Sequence, residues 1–293
     1  MSNLIRTAQS PKVSLVMCTL GRTDKLLRLI TSLVDQTCTA FELIIVDQNP
    51  EGYLDRIVER ARESLSVQYA RSEPGLSRAR NVGLQLCRGK IVAFPDDDCW
   101  YPADLIRHML DIFEQHPELE IVTGRTTDAL GRDSNGKFIK ASGQVTRSNV
   151  WFCGTSNSVF ARLSLAMRLK GFNEALGVGA GTPFGSGEET DFLLRALSCS
   201  ARIFYFHDLA VHHDQTHSEL NEVAFRRAAS YARGFGRVLR LNRYSMGYVA
   251  MRIARNTAAA LAAHLTMNTA HARLKWVWAR GTLVGYMTRT SGA

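Results

Sequence analysis

Hydrophobic positions recur along the chain in two rhythms. Short β-branched or apolar runs at 13–18 ("VSLVMC") and 42–46 ("ELIIV") read as buried strands, and between them Leu26, Leu27, Ile30, Leu33 and Val34 fall at helical spacing. A second helical stretch follows on Leu54, Ile57, Val58, Ala61 and Leu65, then a short strand at 67–70 ("VQYA"), a helix near 76–87 and a strand "KIVAF". Pro102 suits a first helical turn, with Tyr101 as the expected N-cap and Leu105, Met109, Ile112 and Phe113 on the inner face of a helix running to His116. After the strand "LEIVTG", residues 125–150 lose any period and read as a surface excursion. Beyond it come a strand at 156–160, a short helix at 162–169, a glycine-rich loop at 177–187, a helix from Glu188 and a strand "RIFYF". This alternation predicts an α/β fold with a mixed, mostly parallel sheet and helices on both faces.

Composition adds little to this, and the distribution of charge adds more. A chain of 293 residues with 45% hydrophobic content is an ordinary globular length and composition. The first residues, "MSNLIRTAQSPK", hold no apolar h-region, so no secretory leader and a cytoplasmic location are expected. Six cysteines with no C-x-x-C pair read as reduced thiols rather than a disulfide framework or zinc site. The net charge of +9 is unevenly placed: from Val223 onward there are twelve Lys or Arg and no Asp or Glu, leaving 24 bases against 27 acids in the rest. Two regions are therefore expected, 1–222 with the strand–helix alternation and 223–293 as a basic helical appendage.

In open α/β sheets ligands bind beyond the carboxyl ends of the strands. Asp47 and Asp96 both end strands there, and Asp96, Asp97 and Asp98 stand side by side in "FPDDDCWYP". Adjacent carboxylates repel, so a hard cation such as Mg²⁺ or Mn²⁺ that also takes phosphate oxygens is the expected partner. For Asp47 a turn-forming role fits equally well. No G-x-G-x-x-G follows the first strand and no G-x-x-x-x-G-K-[ST] occurs, so neither a dinucleotide fingerprint nor a P-loop is signalled. In "GSGEETDFLLRAL" helical spacing sets Glu189 above Phe192 and Leu193, and Glu188 in line with Asp191 and Arg195. Such acids complement the helix dipole, and one of them in a pocket would serve as a general base. "HDLAVHHDQTH" carries four histidines, and strand alternation lets only one of His212 and His213 face a metal centre.

These pieces, in this order, resemble the family 2 glycosyltransferases, inverting enzymes of the GT-A fold. The segments that carry the resemblance are "VSLVMCTLGR", "ELIIVDQNPEG", "GLSRARNVGLQLCRGKIVAFPDDDCWYP", "KGFNEALGVG", "GEETDFLLR" and "DLAVHH". The resemblance implies a nucleotide-sugar half at about 1–124 and an acceptor half at about 125–222. It implies Thr19, Arg22 and Asp47 as contacts of the nucleotide sugar, Arg80 and Asn81 as walls of that pocket, and Asp96 and Asp98 as the ends of a D-x-D with Asp97 near the ribose. Asp98, with Asp96 and His213, would hold Mn²⁺ or Mg²⁺ on the diphosphate. Glu189 stands where the family has the Asp of its E-D motif, the catalytic base, with Glu188 and Asp191 as rivals. Gln48 replaces a neighbour of Asp47 that is often acidic. A UDP-sugar is the expected donor and a glycan or lipid-linked hydroxyl in envelope polysaccharide or glycolipid synthesis the expected acceptor.

The tail interleaves its bases with Phe235, Tyr248, Trp276, Trp278 and Tyr286. That composition suits helices lying on an anionic bilayer, peripheral at the inner face of the membrane, or a solvated helical pair. No nucleic-acid reader motif is present. A sugar-phosphate nucleotidylyltransferase, or a non-catalytic membrane- or polysaccharide-binding protein of the same fold, is the alternative reading.

Overall fold

The computed structural model describes residues 10–215 and 219–288. His217, the last of the clustered histidines, lies outside them. The elements in chain order are β1 (Val13–Thr19), α1 (Asp24–Val34), β2 (Phe41–Asp47), α2 (Asp55–Arg62), β3 (Val67–Arg71), α3 (Leu76–Leu84), β4 (Ile91–Ala93), β5 (Cys99–Trp100), α4 (Leu105–Gln115), β6 (Ile121–Thr127), β7 (Gly143–Gln144), β8 (Val159–Arg162), α5 (Leu163–Arg168), α6 (Glu188–Ser198) and β9 (Ile203–His213). Three long helices close the chain: α7 (Glu222–Leu241), α8 (Met246–Leu265) and α9 (Thr269–Met287). The chain divides into two compact units, one of residues up to Ser72, Ala79–Gly171 and Ser200–Gln215, the other of Glu73–Arg78, Phe172–Cys199 and the described residues from Glu219 on.

In the first unit nine strands form one sheet in the order β3-β2-β1-β4-β8-β6-β9-β5, with β7 against β9. β1 pairs in parallel with β2 and β4, and β2 with β3. β8 runs antiparallel between β4 and β6, while β9 is parallel to β6. Every residue of β1 and β2 is buried, as expected of central strands covered on both faces. One face, carrying Val13, Leu15, Met17, Leu43 and Ile45, packs on Leu26, Leu29 and Leu33 of α1, on Val58 and Ala61 of α2, and on Ile106, Met109 and Phe113 of α4. On the other face α3 lies so close that a side chain at Gly83 would collide with Val16 and come within 3.1 Å of Val46. The sheet is thus flanked by helices as the periodicity predicts.

Three local departures have physical causes. The helix expected from Pro102 starts at Leu105 after Asp104, because Cys99–Trp100 first pairs with His213 and His212 and Tyr101 is buried. The strand expected at 156–160 begins only at Val159, since Ser156–Ser158 form a 3-10 turn closed by a Thr155/Ser158 capping box. The strand seen as "RIFYF" runs on to His213, its second half pairing Ala210–His212 with Arg125–Thr127 of β6 across a register shift. All six cysteines are free thiols.

In the second unit each long helix begins on a capping side chain. Asn221 accepts from the Ala224 N–H, Ser245 from Tyr248 and Asn268 from His271. α9 packs on both α7 and α8. Glycines let α7 and α9 meet backbone to backbone: Gly285 faces the Arg233 backbone, Gly236 that of Thr282, and a Cβ on Gly281 would sit 2.5 Å from the Ala232 Cβ. Gly281→Leu is therefore expected to cost about 1–3 kcal/mol by overpacking, read as a lower thermal midpoint for the helical unit. Among the described residues no helix is long and apolar enough to cross a membrane.

Candidate active site

The carboxyl ends of β1 and β4 bring the three aspartates to one edge of the sheet. A bridge from Cys18 to Asp96 continues the β1–β4 pairing by one step and sets the acidic run beside Thr19. Three neighbouring carboxylates are accommodated because each accepts from at least one donor, Arg22 being shared by two of them. Asp96 accepts from the buried guanidinium of Arg80 at 3.1 Å and from the Ser156 hydroxyl at 3.3 Å. Asp97 accepts from the Thr19 hydroxyl at 2.7 Å and from Arg22 at 3.0 Å. Asp98 accepts from the same Arg22 nitrogen at 2.6 Å, and its other oxygen stands 3.2 Å from His213 Nε2.

Burial works against all these charges, and the partners decide each outcome. For Asp97 burial prevails over the Thr19 and Arg22 contacts and raises its pKa. For Asp98 burial is outweighed by the His213 hydrogen bond and by the charges of His213, Arg22 and Lys25, so its pKa is lowered. His213 moves the opposite way, its hydrogen bond to Asp98 exceeding desolvation and raising its pKa. The imidazole is held from behind, with Nδ1 donating to the Asp214 carbonyl at 2.6 Å. That bond leaves Nε2 directed at Asp98, the orientation by which metal-ligating histidines are usually fixed. Among the described residues no group of three or more His, Cys, Asp or Glu is arranged to hold a metal ion. One carboxylate oxygen and one imidazole nitrogen do face each other here, a donor pair suited to a divalent cation whose remaining positions are filled by phosphate and water.

His212 points elsewhere. Its Nδ1 meets the Thr127 hydroxyl at 3.0 Å and its ring lies 5.3 Å from Trp100, over which Arg28 stacks while also reaching Asp214. His207 Nδ1 is 3.1 Å from the Ile139 carbonyl. Asp47 is fully buried, with one oxygen accepting from the backbone and side chain of Asn49 and the other from Tyr69, whose hydroxyl is pushed up to about 12 by burial and by that bond. Asn49 in turn accepts from the Gly21 N–H at 2.6 Å, so Asp47 braces the turn after β2 against the loop that carries Arg22. Asn81 is half-buried and packs where Gly171 leaves no room for a side chain. Ser156, Asn49 and Tyr69 were not expected from the sequence. The run "DQN" after a strand is the one local signal for Asn49, and nothing local marks the other two.

In the second unit α6 starts from Gly187 in the left-handed region, φ 92°. Asp191 is buried and accepts from Arg195 at 2.7 Å and from Asn242, the residue capping α7, at 2.9 Å. Glu188 is buried too, its carboxylate 3.1 Å from where a Gly177 Cβ would stand. Glu189 is half-buried. Helical spacing had put Glu189 on the covered face and Glu188 off it. The order changes because the Gly177 turn covers Glu188 and the end of α7 covers Asp191, so α6 is enclosed beyond its apolar stripe.

Comparison with known proteins agrees with this arrangement. A glucosyl-dolichyl phosphate glucuronosyltransferase of Haloferax volcanii is 31% identical over 117 residues, 39% of this chain and 37% of the relative. A poly(ribitol-phosphate) β-N-acetylglucosaminyltransferase, TarP of Staphylococcus aureus, is 29% identical over 169 residues, 54% of this chain and 49% of the relative. The chain therefore spans less than half the length of these curated relatives. A mannosyltransferase of Pyrobaculum calidifontis, solved with GDP-mannose and Mn²⁺, superposes with a TM-score of 0.62 at 16% identity over 94% of this chain and 86% of that one. That likeness shows a shared GT-A fold. The glycosyl transferase family 2 model matches residues 14–167, which is more than half of the chain and includes the aspartates at the β4 edge with Thr19, Arg22 and Arg80, so this chain belongs to glycosyl transferase family 2.

Proposed function

We propose that this protein is an inverting glycosyltransferase that moves a sugar from a nucleoside-diphosphate sugar, a UDP-sugar first, to an acceptor hydroxyl in cell-envelope polysaccharide or glycolipid synthesis. The observation that carries the reading is Asp98 held between His213 and Arg22, beside Asp97 and Thr19, at the carboxyl edge of parallel strands. Membership of the family supports it, as do relatives whose names place them on poly(ribitol phosphate) and on a lipid-linked sugar.

Thr19 and Arg22 order the strand-end carboxylates, and Asp47 and Asn49 brace the loop that receives the nucleotide. Arg80 neutralises Asp96 and, with Asn81, walls that pocket. Asp98 and His213 would hold Mn²⁺ or Mg²⁺, which when bound supplies Lewis-acid stabilisation of charge on the departing diphosphate. Glu189 takes the proton of the acceptor hydroxyl as its oxygen bonds to C1 of the donor sugar. In the same displacement the C1–oxygen bond to the diphosphate breaks on the opposite face, its electron pair leaving with the nucleoside diphosphate, and the anomeric configuration inverts.

Donor turnover measured across UDP-, GDP- and dTDP-sugars, with and without Mn²⁺, tests the reading. A metal-stimulated release of nucleoside diphosphate from one donor supports it; release of pyrophosphate from a nucleoside triphosphate and a sugar phosphate would instead mark a nucleotidylyltransferase. Asp98→Asn is expected to weaken Mn²⁺ stimulation about tenfold or more by removing a carboxylate from the ligand set, read as the metal concentration for half-maximal rate.

A further inference from the structure

α8 presents an apolar face outward. Met251, Ala254, Ala258, Leu261, Ala262 and Leu265 recur at helical spacing and are all exposed, with Leu261 at 54% and Leu265 at 84%. The turn that follows adds Met267 at 85%. On the opposite side Val249, Ala260 and Ala263 are buried within the helical unit. A helix of this composition ordinarily turns its leucines inward, so an outward stripe about 21 Å long needs a cover.

Charge indicates what that cover is. Arg255 sits within the exposed stripe, and from Val223 to the end of the chain there are twelve bases and no acid. α8 itself carries two bases, Arg252 and Arg255, and no acid, so an anionic lipid surface is complementary in charge and accepts apolar side chains, whereas a second copy would bring like charges together. We propose that α8 and the α8–α9 turn form a membrane-docking face, with Leu261, Leu265 and Met267 entering the headgroup boundary and Arg255 meeting lipid phosphates. The helix lies in the interface, since it is not apolar enough to span. Docking of this kind would hold the protein at the surface where lipid-linked or envelope acceptors are found, yet its evidence is independent of any sugar transfer.

Co-sedimentation of the purified full chain with vesicles of phosphatidylcholine alone, and of phosphatidylcholine mixed with phosphatidylglycerol, tests this. The wild type is expected to partition onto the anionic vesicles and to release at high salt. The double variant Leu261→Ser/Leu265→Ser, at exposed positions that leave circular dichroism and thermal midpoint unchanged, is expected to bind about tenfold or more weakly. Arg255→Gln should weaken binding about fivefold. Wild-type protein left in solution with both vesicle types, or a double variant that binds as the wild type does, would overturn the proposal. So would a wild-type dimer seen by light scattering that the double variant dissociates while vesicles capture neither. Each of these results is read without a donor, so the glycosyltransferase reading stands or falls separately.

Discussion

Glu189→Gln is expected to lower kcat for sugar transfer about 10²- to 10⁴-fold, the range over which a positioned general base acts, while donor KM and the thermal midpoint stay near wild type. Glutamine keeps the length of the side chain and one acceptor oxygen, and loses the charge and the ability to take a proton. The prediction gains its edge from the neighbours on α6. Asp191 already holds Arg195 and Asn242, so Asp191→Asn should be felt as lost stability between α6 and α7 before it is felt in turnover. Glu188, buried against the Gly177 turn, is likewise in a packed position. Glu189 is the least buried of the three and stands in the first turn, where the helix dipole favours the ionised form. A nucleotidylyltransferase would be indifferent to the change. Full activity in Glu189→Gln, together with its loss in Glu188→Gln at unchanged stability, would move the base to Glu188.

The strands of this fold are legible because the central ones are buried on both faces and so read as unbroken apolar runs. β9 is legible at both ends, Ile203–Phe206 from its apolar run and His212 and His213 from alternation, which sets His213 against Asp98 and His212 against Thr127; Asp208 between them hides that the two ends are one strand. β5 and β7 are two residues each and leave no period to detect. The acidic run announces that it needs partners, and the cation it suggests is one answer. The sequence cannot announce that Arg22, Arg80 and His213 converge there, because that convergence depends on which strand edges become neighbours. The same limit explains α6. A helical wheel finds one covered face, and the further cover, by the Gly177 turn over Glu188 and by α7 over Asp191, leaves no mark in the periodicity of the helix itself. The tail's aromatic and basic mixture was visible, but which side of α8 faces outward follows from its packing on α9, which buries Val249, Ala260 and Ala263.

Glu42→Ala is expected to cost about 3 kcal/mol, near the lower end for removing one partner of a buried charged pair. Glu42 lies in the middle of the sheet, in register with Ser14 on β1, and nothing in "FELIIVD" sets it apart from a strand residue facing water. It is nevertheless fully buried, accepting from Ser14 at 2.7 Å, from the Arg88 backbone and guanidinium at 2.8 and 2.7 Å, and from Gln68 at 2.8 Å. One carboxylate thus joins β1, β2, β3 and the turn into β4, the strands that carry Thr19, Asp47 and the acidic run. Its loss would strand the Ser14 and Gln68 donors. Arg88 is half-exposed and can return to water, which is why the cost falls short of the full penalty for an orphaned buried charge. The pH dependence identifies the cause. Burial alone would raise the Glu42 pKa, but the hydrogen bonds from Ser14, Arg88 and Gln68 outweigh it and lower the value. A lowered folded-state pKa means stability that is complete above the unfolded value, about 4.3 for Glu, and is lost as pH falls through the folded one. Urea midpoints for wild type and Glu42→Gln should therefore be well separated at neutral pH and converge in acid. A separation that stays constant across that range would mean that Glu42 acts by packing alone.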